Sequence, residues 1–135
     1  MMDAWTLVYD GECGFCRWCT ALVLAADRHH RLRPCRLQDP RAEHLLAGVP
    51  REQWAASWHL VSPAGQVRSA GAAIPVLCGL LPGFGLLGRL CRAAPNVTQR
   101  IYAGVARNRH RIGPRIPRTW IGWATRVLDD RVRDS

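Results

Sequence analysis

The chain has 135 residues, 48% of them hydrophobic and 21% charged, which is long enough for one compact core and short for two. Its net charge of +9 rests on 19 basic residues, every one an arginine; such a surface favours acidic partners but says nothing about fold. The opening residues, MMDAWTLVYDG, carry an acid and no base ahead of a short apolar run. That pattern does not match a secretory leader, so cytoplasmic residence is the default expectation. In a reducing compartment, six cysteines point to catalysis or metal rather than to a disulfide framework.

Residues 4–9 (AWTLVY) form an apolar run rich in strand formers and stopped by Asp10 and Gly11, which predicts a buried strand. Gly11 is expected to supply a backbone conformation that other residues resist. A helix follows over residues 14–27, because Phe15, Trp18, Cys19, Leu22, Val23 and Ala26 share one face. Residues 32–37 (LRPCRL) read as a weaker strand, placed at a sheet edge by Pro34, which cannot donate to a neighbour. Asp39 and Pro40 look like the cap and first residue of a helix that stops at Gly48. Residues 57–62 and 66–69, around Pro63-Ala64-Gly65, predict a hairpin.

The uncharged stretch 69–88 is long enough to span a membrane, but its prolines and glycines predict instead a core helix over 72–81, a Pro-Gly turn and a second helix from 86. A helix over 96–112, a basic Pro-broken linker and a last helix over 120–132 complete the chain. Trp120 and Trp123 share a face of that last helix and are expected to be buried. The expected division is a domain over 1–113 and a basic linker with a terminal helix over 114–135. The right-handed crossover rule and Pro34 together predict a sheet ordered 2-1-3-4, with strands 1 to 3 parallel and strand 4 antiparallel.

The chemistry concentrates in YDGECGFCRWC, residues 9–19. A strand that turns into a helix at Cys13-Gly-Phe-Cys16 is the geometry of a thiol–disulfide exchanger. Cys13 falls at the helix N-terminus, where free N–H groups and the helix dipole favour an anionic sulfur, and so becomes the nucleophile. Cys16, one turn further on, is the resolving thiol. Asp10, three residues ahead, serves either as the acceptor of the Cys16 proton or as a cap that shapes the turn. Arg17 either favours the thiolate or is solvated on the helix surface.

The segment Asp10-Gly-Glu-Cys13-Gly-Phe-Cys16 resembles the Asp-x-x-Cys-x-x-Cys signature of the DCC family of thiol-disulfide oxidoreductases. The blocks RLRPCRLQDP, LVSPAGQVRSAGAAIPVL and IYAGVARNRHRIG are similar to that family as well. The resemblance implies an α/β, thioredoxin-like fold: a four-stranded mixed sheet flanked by helices, with additional C-terminal helices. It implies Cys13 and Cys16 as the reactive pair and Asp10 as the motif acid. Pro34 and the lack of a late cysteine beyond Cys91 depart from many relatives, and the stretch 55–57 lacks the cis-proline of thioredoxins proper.

The expected activity is exchange of the Cys13–Cys16 dithiol with a protein or small-molecule disulfide, with an unidentified electron donor and no bound cofactor. The competing reading is a cysteine-ligated metal site, or a non-catalytic thioredoxin-like interaction module. Cys13, Cys16 and Cys19 resemble part of an iron–sulfur run, yet Val23 and Leu24 stand where its fourth cysteine and proline belong. Cys19 instead fits the core stripe of the first helix, and Cys35, Cys78 and Cys91 read as small buried apolar residues. His29 and His30 suit the helix end as solvated residues, and His59 reads as a satisfied, partly buried one. The basic run from Arg107 to Arg118 reads as a solvated face without a nucleic-acid module; peripheral membrane contact through it or the last helix stays open.

Overall fold

The computed structural model describes residues 4–134. The first apolar run forms β1 (Trp5–Tyr9) and leads into α1 (Gly14–Ala26); β2 (Leu32–Arg36) follows, then a short α2 (Arg41–Leu45). The hairpin is β3 (His59–Val61) and β4 (Val67–Ser69). The rest is helical: α3 (Ala73–Leu80), α4 (Gly85–Ala93), α5 (Pro95–Ile112) and α6 (Arg118–Asp134).

The strands form a mixed sheet in the expected order, β2-β1-β3-β4. β2 is an edge strand, with Pro34 opposite Leu7 in a parallel register with β1. The direction of the third strand differs from the expectation. β3 runs antiparallel to β1, with Val8 opposite His59 and Thr6 opposite Val61, and β4 runs antiparallel to β3. The cause lies in the connection after β2. The crossover rule fixes the hand of a connection that is already parallel and does not make one parallel; here residues 37–58 keep the chain at the end of the sheet where β2 leaves, and β3 runs back from there. The helix expected over 40–48 is shortened to five residues. Asp39 accepts from the Arg41 amide at 2.9 Å, but the residue flanking the helix is Pro40, which makes no side-chain cap bond.

Alternation along the strands builds two cores. Leu7, Tyr9, Leu32 and Leu60 face one layer with Ala21 and Leu24 of α1, Leu77 and Leu80 of α3, and Ala124 and Leu128 of α6. Val8, Cys35 and Val61 face the other, where they meet Ala42 and Leu46. This is the period of two dictated by the pleat. The architecture is thioredoxin-like, with helices added at the C-terminal end.

α6 is tied to α1 by a buried ion pair as well as by apolar contact. Arg131 Nη1 donates to Asp27 Oδ2 at 2.8 Å, and its Nη2 donates to the Leu24 carbonyl at the end of α1 at 2.9 Å. Asp27 is fully buried and also accepts from the Arg31 and Leu32 amides at 3.0 and 2.9 Å. The expected burial of both tryptophans holds for one only. Trp123 packs against the core, while Trp120 stays 51% exposed and stacks on Trp18 with ring centroids 5.8 Å apart. His59 is buried with both ring nitrogens engaged, by Ser69 Oγ at 2.6 Å and the Trp54 carbonyl at 3.0 Å, and burial lowers its pKa. Among the described residues no helix is long and apolar enough to cross a membrane.

Candidate active site

The turn between β1 and α1 is held by Gln38. Its Oε1 accepts from the Gly11 amide at 3.1 Å and its Nε2 donates to Asp10 Oδ1 at 3.1 Å. Asp10 Oδ1 also accepts from the Glu12 amide at 3.0 Å, so the carboxylate shapes the turn and does not cap the helix. Gly11 plays a different part from the one expected. It does not adopt a left-handed conformation, the region occupied by Gly65 and Gly83. Instead the Arg36 side chain crosses directly over it, donating from Nη2 to the Gly11 carbonyl at 2.8 Å, and a Cβ at this position would push the guanidinium aside and disturb that bond.

Cys13 itself caps α1. Its backbone is extended (φ −94°, ψ 118°) and its Sγ accepts from the Cys16 amide at 3.5 Å. The first sulfur of the pair therefore receives an N–H that the helix cannot satisfy internally. Cys16 lies inside the first turn and is half-buried. Burial, followed by its interaction with Cys13, pushes its thiol up to about 12. Burial likewise pushes Cys19 up to about 11. Thr20 Oγ donates to the Cys16 carbonyl at 2.8 Å and fixes that turn.

A cleft of about 420 Å³ opens against Cys16. Phe15, Trp58, Tyr102 and Ile101 give it apolar walls, and Asp10, Cys19, Cys91 and Arg109 also border it. Asp10 and Arg109 are its two charged residues, and they act on Cys16 in opposite senses, the carboxylate raising its pKa and the guanidinium lowering it. Arg109 belongs to α5, 93 positions away, yet its Nη1 lies 3.8 Å from Cys16 Sγ while its Nη2 donates to the Ala55 carbonyl at 2.7 Å. Tyr102, also on α5, accepts at its hydroxyl from the Trp58 amide at 3.0 Å, and burial pushes its own pKa up to about 12.

The sequence alone assigned Arg109 to a solvated basic run. Its one hint was the block IYAGVARNRHRIG, which sets Tyr102 and Arg109 seven residues apart, two turns of one helix face. Arg17 shows the reverse. It sits beside Cys16 in sequence, but it lines a separate cleft with Arg36, Arg41 and Asp129 and makes no bond to either thiol of the pair. Cys35 and Cys78 are buried and Cys91 half-buried at the cleft wall. His29 and His30 are exposed beyond the end of α1. Among the described residues no three His, Cys, Asp or Glu side chains converge as a metal-binding group.

A thioredoxin-like sheet that delivers a Cys-x-x-Cys to a helix N-terminus defines the thiol–disulfide oxidoreductase class. The DCC1-like thiol-disulfide oxidoreductase family matches residues 7–115, and the chain belongs to that family. No curated protein and no solved structure matches it.

Proposed function

We propose that the protein exchanges its Cys13–Cys16 dithiol with a disulfide substrate, with Cys13 as nucleophile. The observation that carries this reading is the asymmetry of the pair: Cys13 Sγ accepts an amide N–H at the helix start, while Cys16 is held as a protonated thiol with a value of about 12. An anionic Cys13 sulfur attacks one sulfur of the substrate disulfide, forming a mixed disulfide as the other sulfur leaves and takes a proton from water. Cys16 then gives up its proton and attacks Cys13 Sγ. The internal disulfide forms, the second substrate sulfur leaves as a thiol, and two electrons have passed to the substrate. An external dithiol restores the reduced protein.

Asp10 is the acceptor for the Cys16 proton in this scheme. It borders the same cleft, and both its hydrogen bonds fall on Oδ1. Arg109 lowers the cost of a negative Cys16 sulfur. The test is the order of alkylation in reduced protein near neutral pH, read by peptide mass spectrometry. Cys13 is labelled first; labelling of Cys16 ahead of Cys13 contradicts the assignment.

A further inference from the structure

α4 is turned inside out relative to an ordinary surface helix. It meets α3 through Gly88, where an added Cβ would lie 3.0 Å from Cys78 Cβ and 3.3 Å from the Pro75 carbonyl. Its leucines point the other way, with Leu86 71% and Leu90 60% exposed. On α5, Val97, Ile101 and Val105 recur every fourth residue and are also exposed, Ile101 by 64%. Leu87, Ile101 and Val105 border the same cleft, which brings the two rows together, and Phe84 stands exposed at the turn before α4. Soluble surfaces rarely leave so many large aliphatic side chains together without a binding role.

Every charged residue carried by α4 and α5 is an arginine. Between Glu52 and Asp129 the sequence holds ten arginines and no acidic residue. Arg89 and Arg92 on α4, and Arg100, Arg107 and Arg111 on α5, are exposed. A second copy paired through this face would set the arginines of α4 and α5 against their own copies, with no carboxylate on either helix to offset them. A nucleic acid would use the arginines and leave the aliphatic rows unmatched. An anionic bilayer serves both at once, with phosphates for the guanidiniums and acyl chains for the leucines.

We propose that the α4–α5 face docks the protein peripherally on an anionic lipid bilayer. The cleft beside Cys16 shares Leu87, Ile101 and Val105 with that face, so docking turns the cleft mouth toward the lipid. The docking stands whether or not Cys13 and Cys16 exchange disulfides, because its readout is partition.

The test is flotation of the full chain with vesicles of phosphatidylcholine alone and of equimolar phosphatidylcholine and phosphatidylglycerol. The protein is expected to float with the anionic vesicles, on the order of tenfold or more above the neutral ones, and to be released by salt. Leu86→Ser/Leu90→Ser/Val97→Ser and Arg89→Gln/Arg92→Gln are each expected to weaken flotation on the order of tenfold with an unchanged thermal melt, since these side chains are exposed and lie outside the cleft. Equal binding to both vesicles, binding to neither, or full flotation of both variants overturns the proposal. So does a dimer, measured by light scattering, that the triple serine variant dissolves.

Discussion

Arg109 Nη1 lies 3.8 Å from Cys16 Sγ, which ties the last long helix of the family region to the half-buried thiol of the redox pair. A guanidinium there favours the negative sulfur that Cys16 must become when it resolves the mixed disulfide. Arg109→Gln is therefore expected to slow release of the second substrate thiol by roughly three- to tenfold, while attack by Cys13 keeps its rate. Arg109→Lys is expected to restore part of that loss. Single-turnover kinetics on a disulfide with a chromophoric leaving group separates the two steps. An equal slowing of both would assign Arg109 a general structural role.

The raised values of Cys16 and Cys19 make stability depend on pH in a definite sense. Below pH 9.0 the folded and unfolded chains both hold these protons. Above it the unfolded chain releases them first, since the folded values stand near 12 and 11. The unfolded state then binds fewer protons, and stability falls as pH rises through this window. In the oxidised protein Cys16 has no proton to lose. Denaturant melts of the two forms between neutral and alkaline pH should show the reduced form declining more steeply. Parallel curves would contradict the burial of the Cys16 thiol.

Arg131 and Asp27 form a pair whose partners cannot be removed singly without cost. Arg131→Ala leaves the fully buried Asp27 carboxylate with only two backbone amides. Loss of about 3 kcal/mol is expected, measured by urea unfolding. Loss of less than about 1 kcal/mol would mean that α6 is held by its apolar contacts, Trp123, Ala124, Val127 and Leu128 among them, without help from the ion pair. Deleting residues 118–135 should lower the melting temperature further, because Ala124 and Leu128 complete the core around α1.

Cys19 borders the cleft but makes no bond to the redox pair among the described residues. Cys19→Ala is expected to cost about 1 kcal/mol through lost packing, with disulfide reduction largely retained. Loss of activity as complete as in Cys13→Ser would make the three cysteines one functional set.

Local signals explain what could be read from the sequence. The apolar run before Asp10-Gly11, the face formed by Trp18, Cys19 and Ala26, and the edge-seeking Pro34 are features of neighbouring residues, and they gave the element order, the sheet order and the place of Cys13. Strand direction depends on the end of the sheet at which the chain returns, and residues 37–58 are long enough to reach either end. The exposure of Leu86 and Leu90 was hidden because α4 packs through Gly88, a residue with no apolar signal of its own. The contact between Arg109 and Cys16 spans 93 positions, and its only local trace is the seven-residue spacing of Tyr102 and Arg109 on one face of α5.

Trapping with Cys16→Ser tests the central claim most directly. The variant lacks the resolving thiol, so reaction with one equivalent of a mixed-disulfide reagent should halt with the adduct on Cys13 and no turnover. Intact and peptide mass spectrometry would show a single modification at that residue. Cys13→Ser should form no such adduct and should show no disulfide-reductase activity. An adduct located on Cys19 or Cys91, or continued turnover by Cys16→Ser, would contradict the assignment of Cys13 as nucleophile and Cys16 as its resolving partner.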